Sequence, residues 1–521
     1  MPYRILIPDE LPYSSGVENV AIAIVSELLA KVDCVTWMRQ DLVHVQRLKD
    51  RLGNPDNLNF IRFSEESPHS TKAKKSRLLD TLKETLKNIP LLQKKATVAY
   101  RRLVDARIAG AAKKFRATHC WYHFVQGQSV PKLDVPVCGL VHDQNFRFYP
   151  ENLPLGKPRQ FKLALHQWLQ KADMITVLSN QGRKEMFELE SDPRSRIEII
   201  PNAITPNHVE LSPNRLPGQK PTFLYPAAAL SHKNHLGLFK AAKHMAQNGQ
   251  DFKIVICGEG TDLLISRQPM SNQGAEQARA FYEANRHFLE PHIQGLGQCS
   301  MQILESHYKS CNAVILPSLY EGFGLPLVEA LSRNIPILCN RIIPFEEQVE
   351  RYNAQDWVKW FDATDAESMA NAIKAFLRKI PDRNFPMKNL QAWTWKDVAA
   401  RYMEIFEELS KLNLYEIIFS VGKSKDNTLQ VINECKNKYK DLQVIVHEQS
   451  KNGKANSIWE AFNLVTGEVV AILDSDLSVE PKELENFYNI IENNYADFVN
   501  GTRLIYPMEK ESMRKLNLFG N

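Results

Sequence analysis

The chain has no uninterrupted apolar run of 18 residues, so none of its 521 positions opens a segment long enough to span a bilayer as a helix. Its first ten residues place an acidic pair, Asp9-Glu10, directly after one short apolar run. They lack the basic start, long apolar middle and small-residue cleavage site of a secretory signal, and the expectation is a cytoplasmic protein. Cysteine is sparse: eight residues, at 34, 120, 138, 257, 299, 311, 339 and 435, with no C-x-x-C pair among them. That spacing excludes a zinc ribbon or a thioredoxin-like motif, and the thiols read as reduced core residues, not metal ligands. Internal repeats and low-complexity tracts are missing as well, and no nucleic-acid module is recognisable, so nucleic acid is not an expected partner.

What is present is an ordinary globular composition, 44% apolar and 24% charged, in a chain too long for a single core. About three units are expected. The net charge is only +5, yet between Thr71 and Arg116 14 Lys or Arg stand against three acids. Leu78, Leu79, Leu82, Leu86, Leu91 and Leu92 interleave that charge at helical spacing, which predicts basic amphipathic helices. Residues 72–116 are thus suited to peripheral contact with anionic lipid at the inner face of a membrane, the alternative being a solvated helical face.

From Tyr3 onward short β-rich runs alternate with amphipathic helical stretches, the pattern of an α/β fold with parallel sheets covered on both faces. Strands are expected near residues 5–7, 33–37, 135–141, 174–178 and 197–200, then near 222–225, 252–257, 313–316 and 335–339. Between the two sets lies a Pro-rich stretch opened by Pro201-Asn202, read as an interdomain linker. The implied division is 1–205 and 206–392, with a helix over 393–410 returning to the first unit, and a further unit over 411–521. Two Rossmann-like lobes bind ligands at the carboxyl ends of their strands, so the cleft between them is where chemistry is expected.

The most informative segment runs Pro317-Ser318-Leu319-Tyr320-Glu321-Gly322-Phe323-Gly324-Leu325-Pro326-Leu327-Val328-Glu329. It places two carboxylates eight positions apart at a strand-to-helix junction. Gly322 and Gly324 allow backbone N–H groups close to an anion, and the helix starting near Leu325 adds a dipole that favours phosphate. This reads as a phosphate-and-sugar cradle; a helix cap with two solvated acids is the plainer alternative. A second element, Ala227-Ala228-Ala229-Leu230-Ser231-His232-Lys233-Asn234, follows the first strand of the second lobe and brings the Lys233 ammonium toward the same cleft. Leu140-Val141-His142-Asp143 ends a strand of the first lobe.

E-G-F-G-L-P with a glutamate eight residues after the first resembles the E-x7-E motif of the retaining glycosyltransferase family 4, of GT-B fold. The resemblance covers about residues 1–410. It implies that Glu321 lies by the donor sugar, that Glu329 binds the ribose hydroxyls, and that the backbone from Gly322 through Phe323, Gly324 and Leu325 contacts the hexose and phosphate. It further implies that Lys233 meets the diphosphate, that Gly16 belongs to a glycine loop closing over the phosphates, that His142 touches the donor sugar, and that Glu259 borders the nucleotide. Many relatives carry an arginine five residues before the lysine, where Ala228 stands here. The implied partners are a nucleotide-diphosphate sugar and a saccharide or lipid-linked acceptor. The implied reaction transfers a hexose, mannose or glucose among the candidates, by front-face displacement with retention and without a metal cofactor in the two lobes. A catalytically silent sugar- or nucleotide-binding scaffold is the rival of another class; GT-B-like epimerases and phosphorylases are rivals among enzymes.

Residues 415–521 resemble a different family, glycosyltransferase family 2 of GT-A fold. The likeness rests on Glu416-Ile417-Ile418-Phe419, Ser424-Lys425-Asp426-Asn427-Thr428, Gly453-Lys454-Ala455-Asn456, Asn500-Gly501-Thr502-Arg503-Leu504 and the D-x-D of Asp474-Ser475-Asp476. Two hard carboxylates there suit Mg²⁺ or Mn²⁺ bridging a diphosphate. The family's first strand is missing before Tyr415, and Val421 replaces a nucleotide-binding acid. No independent transfer by this segment is expected.

Overall fold

The computed structural model describes all residues except 1–2, 10–14, 40–42, 63–89, 206–219, 271, 380–384, 413–415, 423–425, 440–442, 452, 468, 474–482, 493–494 and 500–521. The chain divides into two compact units, Met1–Ser410 and Lys411–Asn521.

The first unit holds two parallel sheets. Strands β1 (Arg4–Asp9), β2 (Cys34–Arg39), β3 (Leu58–Arg62), β4 (His119–Tyr122), β5 (Val137–Val141), β6 (Met174–Val177) and β7 (Arg196–Ile199) form the first, in the order β3-β2-β1-β4-β5-β6-β7. Strands β8 (Thr222–Pro226), β9 (Lys253–Cys257), β10 (Ile293–Gly295), β11 (Ala313–Leu316), β12 (Ile337–Asn340) and β13 (Val358–Phe361) form the second, in the order β10-β9-β8-β11-β12-β13. Every described pairing is parallel, which requires a crossover between partners and explains the alternation of strand and helix in the sequence. Strand order reverses between β1 and β4 in one sheet and between β8 and β11 in the other. These switch points open a crevice at the strands' carboxyl ends.

The central strands are buried on both faces, and their sequences are accordingly near-continuous apolar runs, as in Ala313-Val314-Ile315-Leu316. β3, β4, β10 and β13 escaped the sequence reading. They are short, and carry residues such as Asn59, His119, Gln294 and Lys359 that blur the apolar signal. The helix Ser15–Leu28 packs through Val20, Ala21, Ile24, Val25 and Leu28, all buried, at the spacing of one helical face. Each of the valine, isoleucine and leucine side chains contributes about 1.5–3 kcal/mol on leaving water. Gly16 lies in the first turn of this helix, not in a loop as expected from sequence, because the helix starts at Ser15.

Of the basic stretch, residues 72–89 lie outside the described residues. Its remainder forms the helix Pro90–Lys114, whose Val104, Ile108 and Ala111 are buried in the first lobe's core while Lys113 and Lys114 face solvent. No helix among the described residues is long and apolar enough to cross a membrane. The helix Trp395–Leu412 returns to the first sheet. Tyr402 OH and Thr176 Oγ1 are 3.0 Å apart, the Phe406 carbonyl accepts from His119 Nε2 at 2.8 Å, and Arg196 pairs with Glu408 at 2.8 Å.

In the second unit, β14 (Glu416–Val421) and β15 (Gln443–Glu448) pair in parallel and the helices Thr428–Lys438 and Lys454–Phe462 are described. Trp459, Ile472, Tyr495 and Phe498 are exposed there.

Candidate active site

At the β8/β11 switch point two turns are tied together. Leu319 N donates to the His232 carbonyl at 2.8 Å, and Tyr225 OH donates to the Lys233 carbonyl at 2.6 Å. Asn234, in left-handed backbone that asparagine tolerates, caps the helix His235–Gln247 by accepting from Gly237 N at 3.1 Å. Its amide also donates to the carbonyls of Pro317 and Ala363 at 3.2 and 2.9 Å. The result is a rigid turn that carries Lys233 toward the turn after β11. There Lys233 Nζ lies 2.6 Å from Glu321 Oε1, both side chains mostly buried. An ammonium and a carboxylate in such an environment attract strongly.

Gly322 brings the two lobes into contact. A methyl group on it would sit 1.8 Å from the His142 carbonyl oxygen and 3.0 Å from Asp143 Cβ, so only glycine allows this approach. Gly324, at φ +94°, then starts the helix Leu325–Ser332, with Phe323 buried before it and Pro326 in its first turn. Glu329 is the fifth residue of that helix, little more than one turn in. It is half-buried, accepts from Tyr308 OH at 2.9 Å, and its carboxyl is raised above the usual range by burial, with Arg333 opposing. Arg333 is itself held by Glu305.

His142 directly follows β5 and bonds through Nε2 to the His123 carbonyl at 2.8 Å. A carbonyl only accepts, so Nε2 carries the proton. Burial pushes the ring down to about 4, so it is neutral near pH 7 and Nδ1 is left as an acceptor. Asp143 is held by Gln126 and by Asn145 N, and burial raises its carboxyl, with Lys233 pulling the other way. His142, Asp143, Gln144, Tyr320, Glu321 and Glu185 all line one small cavity between the lobes.

Tyr320 is the residue that sequence reasoning passed over. Its hydroxyl accepts from Gln144 N at 2.8 Å and donates to Glu185 Oε2 at 2.8 Å, both in the other lobe, while its ring lies among Phe148, Tyr149 and His232. Adjacency to Glu321 was the available signal. Asn152, with no sequence signal at all, makes a second bridge: it accepts from Ser231 N at 2.9 Å and lies 3.0 Å from His232 Nδ1. Behind His142 is a buried polar cluster at the carboxyl ends of β1, β2 and β4. Arg39 pairs with Asp9 at 2.9 Å and Glu18 at 3.1 Å, and His123 Nε2 is 3.2 Å from Asp9.

Other expected site residues sit differently. Gly16 is exposed with open space around it. Glu259 is exposed in the turn after β9, and its carbonyl accepts from Ala229 N at 2.8 Å. Asp474 and Asp476 lie outside the described residues. Nor is every thiol in a core: Cys299 is half-buried and Cys435 exposed. A larger cavity, about 350 Å³, is lined by Tyr149, Glu151, Ser231, Asn234 and Gln273 but contains none of His142, Lys233 and Glu321.

Residues 209–391 match the family model of Glycosyl transferases group 1, and residues 394–520 that of Glycosyl transferase family 2. The second match begins just before the helix Trp395–Leu412, whose side chains pack on the first sheet. O-antigen chain mannosyltransferase B of Escherichia coli is 27% identical over 217 residues, covering 40% of this chain and 54% of that protein. O-antigen chain mannosyltransferase RfbU of Salmonella typhimurium is 22% identical over 260 residues, covering 49% and 67%. The chain thus spans between half and two thirds of the length of these relatives. Among solved structures, a glycosyltransferase from Rickettsia africae ESF-5 superimposes with a TM-score of 0.53 at 16% identity, covering 79% of this chain and 99% of that one. Anabaena Alr3699/HepE in complex with UDP and glucose gives 0.54 at 12% identity, covering 77% and 99%. The fold is GT-B, two facing Rossmann-like lobes.

Proposed function

We propose, starting from a GT-B fold whose second lobe matches Glycosyl transferases group 1, that this chain transfers a hexose from a nucleotide-diphosphate sugar to a saccharide or lipid-linked acceptor. The observation that carries the reading is the convergence of Lys233, Glu321 and His142 around Gly322 at a switch point. The mannosyltransferase relatives favour mannose as the hexose. Lys233 and the N-terminus of the helix Leu325–Ser332 face the charge that builds on the leaving diphosphate, which lowers the barrier for breaking the bond from anomeric carbon to phosphate oxygen. The acceptor hydroxyl attacks from the same face and its proton passes to the departing phosphate oxygen. Neutral His142, with Nδ1 able only to accept, takes a hydrogen bond from a sugar hydroxyl. Glu321, released from Lys233 by the phosphate, does the same for a second hydroxyl, and Glu329 holds the ribose.

A melting-temperature screen of UDP-, GDP- and ADP-sugars identifies the nucleotide. Transfer of label from the sugar that stabilises the protein then tests the activity. Stabilisation without any transfer to saccharide or lipid-linked acceptors would favour the rival, a silent binding scaffold, to which the absence of an arginine at Ala228 already lends weight.

The acceptor is reached at an anionic membrane surface through residues 72–116. Each basic side chain near such a surface contributes about 1 kcal/mol. Sedimentation with anionic vesicles at low salt, lost when Lys74, Lys75, Lys94 and Lys95 are changed to Glu, is the expected result; a protein that stays in the supernatant marks the segment as a solvated helical face.

A further inference from the structure

The transferase reading leaves one pair of side chains without a role. Cys257 closes β9 and Cys299 lies in the turn after β10, 42 residues further on, with their Sγ atoms 2.7 Å apart. Backbone, not side-chain drift, sets that distance. Leu296 N donates to the Ile256 carbonyl at 3.0 Å, Gly258 N to the Gly297 carbonyl at 2.9 Å, and Gly297 N to Thr261 Oγ1 at 3.0 Å. A disulfide has its sulfurs about 2.05 Å apart, so less than about 1 Å of approach separates this pair from a bond. Access is graded as well: Cys257 is buried and Cys299 is half-buried.

We propose that Cys257 and Cys299 are a reversible dithiol/disulfide couple, a modification site in the second lobe oxidised by hydroperoxides. Burial, with the Cys299 sulfur beside it, pushes the Cys257 thiol up to about 12, so it stays protonated near pH 7. Cys299 therefore meets the oxidant first. Its sulfur attacks one peroxide oxygen, the O–O bond breaks, and Cys299 sulfenic acid and one water form from hydrogen peroxide and the thiol proton. The Cys257 sulfur then attacks the Cys299 sulfur, the S–S bond forms as the S–O bond breaks, and the hydroxide leaves with the Cys257 proton as a second water. Two thiols lose two electrons and two protons, and one peroxide becomes two waters. The bond ties the Gly258–Gly260 turn to the Gly297 turn. Since the Glu259 carbonyl in the first of these holds Ala229 N, the constraint reaches the segment that carries Lys233.

The full chain is treated with hydrogen peroxide, alkylated, digested and mapped by mass spectrometry, with and without dithiothreitol. The expected result is a peptide pair joined through Cys257 and Cys299, at least a tenfold fall in alkylation of both, and full recovery on reduction. Cys299→Ser, at the more exposed position, abolishes the link while keeping the wild-type circular dichroism and leaving Cys257 alkylatable after peroxide. Continued alkylation of both thiols under conditions that oxidise exposed Cys435, or conversion of Cys299 to sulfinic acid with Cys257 still free, overturns the proposal. Nucleotide affinity of the oxidised and reduced forms reads the consequence, which rests on the transferase reading. At least a threefold difference is expected, and equal affinity overturns the coupling. No nucleotide binding in either form counts against the transferase reading while the link, once mapped, stands.

Discussion

Gly322→Ala isolates the contact between the lobes from every other property of the site. Gly322 is not in left-handed backbone, so alanine suits its local conformation, and the only obstacle is what the methyl group meets. It meets the His142 carbonyl oxygen at 1.8 Å. A backbone oxygen at the end of a buried strand cannot step aside, and an ordinary non-bonded contact returns only if turn and strand end part by more than about 1 Å. Misplacement of that size can lower a rate about 100-fold, which corresponds to roughly 2.7 kcal/mol of lost transition-state stabilisation. Steady-state transfer from the nucleotide sugar should therefore fall about 100-fold in kcat/KM. Affinity for the nucleotide alone should change less than about threefold, because its proposed contacts lie within the second lobe. Gly110→Ala, where a methyl group has nothing within 4 Å, is the matched control and should leave both unchanged. Transfer by Gly322→Ala within a few-fold of wild type would show that catalysis does not use this juxtaposition of His142 and Glu321. An equal loss of nucleotide affinity would place the damage inside the second lobe and refute the argument from closure.

Lys233→Ala should chiefly lower kcat and Glu329→Ala chiefly raise the donor KM, since one faces developing charge and the other the ribose; kinetics showing neither change would remove the proposed site. Excess EDTA should leave transfer intact, as Lys233 and a helix N-terminus take the charge a divalent ion meets elsewhere, and a loss restored by Mg²⁺ or Mn²⁺ would contradict this. Acid should destabilise the fold. Burial holds His119 and His142 down at about 4 and His232 and His235 at about 3, against an ordinary value of 6.5. Below about 6.5 the unfolded chain thus binds more protons than the folded one, and each ring removes up to roughly 1.4 kcal/mol of stability per pH unit. Asp143 and Glu185, raised by burial, act in the opposite sense. Melting temperature should fall between pH 7.5 and 5.5; a flat or rising profile would exclude the mechanism.

How much of this was legible in the sequence depends on how local the signal is. The parallel α/β class and most central strands were readable because a strand buried on both faces must be nearly continuous in apolar residues, as β11 is and as β8 and β9 are after Thr222 and Lys253. The placement of Glu321-Gly322-Phe323-Gly324 and of Lys233 just beyond strand ends was readable because each lies within a dozen residues of a recognisable strand end. The sequence alone determined which residue types stand at the carboxyl ends of the strands. It did not determine what they touch. That Gly322 meets the His142 carbonyl, that Tyr320 spans from the turn after β11 to Gln144 and Glu185, and that Asp9, Arg39 and His123 share one buried cluster are facts of tertiary structure. Likewise the Cys257–Cys299 approach joins positions 42 residues apart. The physical reason is the parallel sheet itself: neighbouring strands are joined only through crossover helices, so residues that meet at one sheet edge are separated by tens of positions. No periodicity of 2 or 3.6 reports on such a distance, and packing alone decides it.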